Sequence, residues 1–171
     1  MARKSRANNA LIISDTKNRM WNAGLYGRHS VVDGDDPEQN SIGNQKKIGN
    51  HFLSTRADIV LVDTYSDNGY TGMNFERPDF QRMFEDIKSG RINCVIVKDV
   101  SRLGRHFVMT SNLVERIFPE MGVRLICIND EYDSSEPNAD SSALTLPLKM
   151  VMNDYYVKDI SQKIRSSIHA K

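Results

Sequence analysis

Ile92-Asn93-Cys94-Val95-Ile96-Val97 runs directly into Lys98-Asp99-Val100-Ser101-Arg102-Leu103-Gly104-Arg105. The first six residues carry no charge and are mostly apolar and β-branched, the pattern of a strand buried on both faces. The next eight end that run with charge and a glycine, and bring Arg102 and Arg105 just past the strand's carboxyl end. A strand apolar on both faces needs helices above and below it, so this junction predicts alternating strands and helices around a mostly parallel sheet.

The rest of the chain fits that alternation. Residues 22–29 form a short strand that ends at Ser30 and the acidic turn Asp33-Gly34-Asp35-Asp36-Pro37. A helix follows from about Glu38 or Ser41 to Thr55, with Ile42, Gln45, Ile48 and Phe52 at helical spacing. Residues 58–64 make a second strand, and Tyr65–Glu76, with two Gly and two Asn, reads as a long loop. Pro78 opens a helix, striped by Phe80, Met83, Phe84 and Ile87, that Gly90 stops. Beyond the deciding strand come a helix at about 108–121, an apolar run at 123–128 and a polar loop over Asn129–Ser142. After Pro147 a last helix runs to the end, with Leu148, Met152, Tyr156, Ile160, Ile164 and Ile168 four apart. Tyr155 and Tyr156 are expected to pack against the body. No Gly, Asn or Pro closes this helix, so the chain is read as a fragment of a longer protein.

The fold expected is therefore α/β, a mostly parallel central sheet with helices on both faces, followed by a long C-terminal helix. Three parts are expected: a basic flexible arm at 1–20, a body at 21–143 and the start of the long helix at 144–171. The 171 residues, 39% hydrophobic and 26% charged, exclude a mainly disordered, collagenous or membrane-spanning chain. Net charge is only +1, which excludes a histone-like polyanion binder. The ends are basic, through Arg3, Lys4, Arg6, Lys17 and Arg19 at one and Lys149, Lys158, Lys163, Arg165 and Lys171 at the other, while the body is acidic. Such a distribution suits local polyanion contact, and equally suits solvated ends without a partner. Cys94 and Cys127 lie in apolar runs and read as buried, reduced thiols. With no signal peptide or membrane span, a cytoplasmic location is expected.

In a parallel sheet, ligands gather outside the carboxyl ends of the strands. There the chain presents Tyr26-Gly27-Arg28-His29-Ser30, then Asn68-Gly69-Tyr70 with Arg77, then Ser101-Arg102-Leu103-Gly104-Arg105. Guanidinium groups match phosphate oxygens with paired donors, so arginines beside a hydroxyl suggest phosphate chemistry. The alternative is that they pair on the surface with Asp33, Asp35, Asp67, Glu76 or Asp99. His29 alternates away from Ser30 along a strand, which argues against a serine-hydrolase triad, as does the missing G-x-S-x-G elbow. No P-loop or dinucleotide fingerprint occurs. Asp33, Asp35 and Asp36 could hold a divalent cation in a metal-dependent nuclease, but are more simply a solvated turn, so neither metal nor cofactor is expected. A non-enzymatic, anion-binding flavodoxin-like or receiver-like module is the alternative to an enzyme.

Together these segments resemble the serine recombinases, the resolvase/invertase superfamily. Tyr26-Gly27-Arg28-His29-Ser30 is similar to their Y-x-R-x-S nucleophile motif, and Asn40–Gln45 to the opening of their first helix, which ends in an active-site glutamine. Asp67-Asn68-Gly69-Tyr70-Thr71-Gly72 with Arg77-Pro78 is similar to their D-x-G-x-S/T-G…R-P loop, and Ser101–Arg105 to their [DS]-R-L-G-R motif. The matches fall in family order over roughly residues 22–168 and are nearest to the large serine recombinases of phages and conjugative transposons. Small resolvases usually carry Asp where Ser101 stands.

The resemblance implies that Ser30 attacks a DNA phosphodiester, forming a 5′-phosphoserine link and releasing a 3′-hydroxyl. It implies that Arg28, Arg102 and Arg105 hold the phosphate, that Arg77 and Gln45 help to place it, and that Ser101 supports Arg102 and Arg105. Tyr26, Lys163 and Arg165 are the expected DNA contacts. It implies DNA as partner, a homodimer assembling to a homotetramer through the last helix, and further DNA-binding domains beyond residue 171.

Overall fold

The computed structural model describes residues 20–29, 41–70, 72, 74–136, 146–152, 155 and 159. The basic arm up to residue 19, Ser30, the acidic turn at 33–37, the stretch 137–145 and the helix end from residue 160 lie outside the described residues.

Five strands form one sheet in the order β2-β1-β3-β4-β5. β1 (Trp21–His29), β2 (Ile59–Asn68), β3 (Cys94–Val97) and β4 (Arg124–Cys127) are parallel, and β5 (Tyr132–Asp133) pairs antiparallel with β4. Between the strands lie α1 (Ile42–Ser54), α2 (Pro78–Lys88) and α3 (Phe107–Asn112). A three-residue 3-10 turn, Val100–Arg102, links β3 to α3, and residues 146–152 form a fourth helix, α4.

Period-two alternation along apolar strands explains why both faces are covered. Trp21, Ala23, Leu25, Cys94, Ile96 and Ile126 pack toward Phe52 and Leu53 of α1. Tyr26, Val95, Val97, Leu125 and Cys127 pack on the opposite face with Phe80, Met83 and Ile87 of α2, Leu113, Phe118, and Leu146 and Met150 of α4. Gly49 lets α1 approach: a Cβ there would stand 2.5 Å from Leu25 Cδ1. Ser41 caps α1 by accepting from the Asn44 amide at 3.1 Å.

Three expectations change. β2 continues to Asn68, where composition suggested a loop from Tyr65, because it pairs with β1 through His29↔Asn68. Part of the expected polar loop is β5. The helix expected at about 108–121 passes through a π-helical turn, Leu113–Ile117, before a last α turn at Phe118–Glu120. Pro119 has no amide to give to a carbonyl four residues back, and a wider turn ahead of it absorbs the missing bond.

α4 also differs in its orientation. Leu146 and Met150 are buried, whereas Leu148, Val151, Met152 and Tyr155 face outward, Tyr155 at 71% exposure. Leu148 and Met152, the described members of the fourfold stripe, thus lie on the outer face, and Tyr155 does not pack on the body; Tyr156 and the later members lie outside the described residues. Lys149 ties α4 to the turn after β4 through Asp130 Oδ1 at 3.1 Å, and Asp130 Oδ2 accepts the Val100 amide at 2.7 Å.

At the amino end of the sheet, Arg124 donates to both oxygens of Asp133 at 2.9 and 2.6 Å and to Asp58 at 2.8 Å. Burial alone would raise the Asp133 carboxyl; the Arg124 bonds and the Ser135 amide outweigh it and hold the group below its ordinary value. A carboxyl depressed in the folded state adds stability at neutral pH that disappears as pH falls through its folded value. Asp133→Asn is therefore expected to cost about 3 kcal/mol in urea unfolding at pH 7. The gap to wild type should narrow once pH drops below about 4; a gap that does not change with pH would contradict this origin.

Candidate active site

The strand order puts the ends of β1 and β3 side by side while the chain leaves them in opposite directions, β1 toward β2 and β3 toward β4. Such a reversal opens a crevice at the carboxyl edge of the sheet. Arg28 stands at the end of β1 and Arg102 in the 3-10 turn after β3.

The two arginines hold each other by their backbones. Arg28 Nε donates to the Arg102 carbonyl at 3.3 Å, and Arg102 Nη1 donates to the Arg28 carbonyl at 3.0 Å. Arg28 Nη2 reaches the Ser101 carbonyl at 3.0 Å and Nη1 the Tyr70 carbonyl at 3.0 Å. Gln45, buried on α1, fixes the same residue from the other side. Its Oε1 accepts the Arg28 amide at 3.2 Å and its Nε2 donates to the Arg28 carbonyl at 3.0 Å. Arg28 has no exposed surface. Burial first, and then the charges of Arg105, Arg102 and Arg77, push its pKa down to about 9, still a cation at neutral pH.

Arg77 lies deeper. Nη1 donates to the Tyr26 hydroxyl at 2.7 Å and weakly to the Arg102 carbonyl at 3.4 Å, while Nη2 donates to the Leu103 carbonyl at 2.5 Å. Its guanidinium carbon sits 4.6 Å from the Phe80 ring centroid. The Tyr26 hydroxyl in turn donates to Asp67 Oδ2 at 2.9 Å, and Asp67 accepts the amides of Asp79 and Phe80, capping α2. Sequence reading singled out Asp67 only as a possible ion partner; its place in the D-x-G motif was the available clue. Tyr26, expected to contact DNA, has no exposed surface and spends its hydroxyl on Asp67 and Arg77. It supports the site from within the core.

Arg105 completes the group. Its amide donates to the Gly72 carbonyl at 2.8 Å, and burial lowers its pKa. Gly72 permits this approach, since a Cβ would stand 2.9 Å from Arg105 Cγ and 3.1 Å from Arg28 Nη2. Gly104 is as confined, with Thr110 Oγ1 2.5 Å from its virtual Cβ. Ser101 donates its hydroxyl to Asp99 and accepts from Arg102 Nη2 at 3.0 Å; Arg102 Nε lies 3.2 Å from the same Asp99 oxygen.

Arg28, Arg77, Arg102, Arg105, Gln45 and Ser101 thus converge on one edge of the sheet. Ser30, Asp33, Asp35, Asp36, Lys163 and Arg165 lie outside the described residues. Among the described residues no group of three or more His, Cys, Asp or Glu could hold a metal ion. Nor is any helix among them long and apolar enough to cross a membrane. Among the described residues Arg28 bonds carbonyl oxygens and Arg77 bonds the Tyr26 hydroxyl and two carbonyls, its buried Nε unpaired, with no carboxylate bonded to either, so the edge keeps positive charge and suits an anion of phosphate type.

Comparison with known proteins gives the family. Residues 23–171 match the family model described as Resolvase, N terminal domain. A putative DNA recombinase of Bacillus subtilis is 35% identical over 80 residues, 47% of this chain but only 16% of that protein. A resolvase family site-specific recombinase from Streptococcus pneumoniae superposes with a TM-score of 0.56 at 28% identity, over 86% of this chain and 98% of the other. The N-terminal catalytic domain of TP901-1 integrase superposes with a TM-score of 0.61 at 23% identity, over 84% and 98%, a likeness of fold.

Removing one hydroxyl tests the buried support. Tyr26→Phe leaves Arg77 Nη1 with a single long bond and Asp67 without its phenol. A loss of about 1–3 kcal/mol in denaturant unfolding is expected; an unchanged midpoint would show that the hydroxyl contributes nothing.

Proposed function

The chain belongs to the Resolvase N-terminal domain family, and from that premise we propose that it cuts and rejoins DNA through a covalent bond to Ser30. The serine oxygen attacks a backbone phosphorus, the bond to the 3′-oxygen breaks, and the 5′ end is left as a phosphoserine ester. One of the guanidinium groups gives a proton to the departing 3′-oxygen and, as the neutral guanidine so formed, is reprotonated by the proton that the Ser30 hydroxyl loses. After strands exchange, each 3′-hydroxyl attacks the ester in the reverse sense. Bond energy is stored in the ester, so rejoining needs no ATP, which fits a chain without a P-loop.

One observation carries this reading. Arg28, Arg77, Arg102 and Arg105 gather at the end of β1, and Ser30 follows Arg28 by two residues in the sequence. Phosphoryl transfer asks a protein mainly for position and for charge matched to the transition state. Preformed donors supply both without reorganising during the reaction. In this scheme Arg102 and Arg105 face the phosphate, Arg28 adds its charge from the buried layer beside them, and Gln45 and Arg77 fix the backbone that aims them. Lys163 and Arg165 are proposed to touch DNA.

DNA exchange also needs several active sites at once, and we place assembly on α4. Leu148, Val151, Met152 and Tyr155 recur at helical spacing, and all are at least 44% exposed. An exposed apolar stripe of this kind suits a second copy, as a dimer that pairs into a tetramer on two DNA sites. The chain spans 16% of the length of the curated relative it matches.

Full-length protein on its recombination site is expected to give a protein–DNA adduct that survives detergent and EDTA and is absent with Ser30→Ala. Normal adduct from that variant would eliminate Ser30 as nucleophile. Arg102→Ala and Arg105→Ala should each remove cleavage while retaining most DNA binding in a mobility-shift assay. Val151→Glu with Tyr155→Glu should shift sedimentation toward the monomer; an unchanged distribution would move the interface off α4.

A further inference from the structure

We propose that Asp99 is a positioning residue for this reaction, and that its carboxylate, more than the Ser101 hydroxyl, sets the direction of Arg102. The proposal rests on the strand-cleavage reading above, since it concerns the aim of an arginine assigned to the phosphate there.

Asp99 stands between β3 and the 3-10 turn, in extended conformation, and does not cap that turn with its side chain. Its Oδ1 faces inward, where it accepts from Arg102 Nε at 3.2 Å and from the Ser101 hydroxyl. That hydroxyl is itself the acceptor for Arg102 Nη2 at 3.0 Å. One edge of the guanidinium is therefore held at two points, and both lead to a single carboxylate oxygen. The other end of the group is held by the Arg28 carbonyl through Nη1. With three nitrogens anchored, the plane of Arg102 is fixed before any anion arrives.

The charge decides which of the two partners matters more. A charge-assisted bond is about twice as strong as one between neutral groups. Ser101 has only a neutral oxygen to offer, and its hydroxyl proton points at Asp99, so its orientation depends on the carboxylate as well. The Arg102 side chain is 6% exposed and Asp99 21%, so solvent screens this pair less than a surface pair. Arg28 feels the charges of Arg105, Arg102 and Arg77, and a carboxylate at this corner offsets part of that repulsion.

Three variants of the full-length protein separate the claim from a structural role: Asp99→Asn, Ser101→Ala and the double exchange Asp99→Asn with Ser101→Asp. Single-turnover adduct formation on a nicked duplex of the recombination site gives the rate, and the Arg102 Nε–H resonance in nitrogen NMR reports its orientation without DNA. Asp99→Asn is expected to slow adduct formation by about 10- to 100-fold, the scale of a small misplacement of a reacting group, and to shift the Nε–H resonance. Ser101→Ala should cost less, because the Nε bond remains. The double exchange, which returns a carboxylate to the same edge of the guanidinium, should restore both rate and resonance. An unshifted Arg102 resonance in Asp99→Asn overturns the proposal. So does a shifted resonance with an unchanged rate, or a loss that the double exchange fails to recover while the thermal midpoint stays at the wild-type value. If wild-type protein forms no adduct, the strand-cleavage reading fails, and the resonance alone still decides whether Asp99 directs Arg102.

Discussion

The site depends on two arginines that each bond the other's main chain. Arg28 ends β1 and Arg102 closes the turn after the neighbouring β3, 74 residues apart in sequence. A buried guanidinium is costly unless its donors are met. Had carboxylates met all of them, the pocket would be neutral. Carbonyl oxygens satisfy the donors of Arg28 and leave its charge in place, and Arg102 meets the single carboxylate of Asp99, so the arrangement is stable and still attracts an anion. The exchange also fixes the spacing of the β1 and β3 ends, where the sheet reverses its winding.

Further back, the core and the site share the same atoms. Tyr26 packs edge-on to Phe80 at 5.5 Å within the apolar layer, and its hydroxyl joins Arg77 to Asp67. Asp67 caps α2, and α2 carries the Phe80 ring on which Arg77 rests. Arg77 then braces the carbonyls of Arg102 and Leu103 from beneath. Loosening the helix would loosen the turn that holds the outer arginines. Such shared support explains how permanently charged groups can lie within a layer of aromatic side chains.

Much of this was legible in the sequence, for reasons that differ by element. β3 is apolar at every position and could only be a central strand, and the arginines that follow it had to fall on one edge. The serine recombinase resemblance rested on four motifs in order, and the family match over residues 23–171 agrees with it. The reach of β2 was hidden, because Ser66, Asp67 and Asn68 have poor strand propensity and adopt it only by pairing with β1. The burial of Tyr26 was hidden too: an aromatic with a hydroxyl suits a wet surface as well as a core, and only the positions of Asp67 and Arg77 distinguish the two. Likewise Asp99 reads as one more acidic residue until the turn folds it back on Arg102. On α4, two apolar faces were present in one helix, and spacing alone could not say which of them the body would take.

Asp130 serves two structures with its two oxygens, one accepting the first amide of the arginine turn and the other the Lys149 ammonium of α4. A tilt of that helix must either stretch the ion pair or drag the carboxylate with it. In the second case the pull arrives at Val100, two residues before Arg102. α4 and the charged corner are thereby geared to one another, so that in the assembly proposed for α4 contact between copies would be felt where the backbone of a nucleic acid would lie.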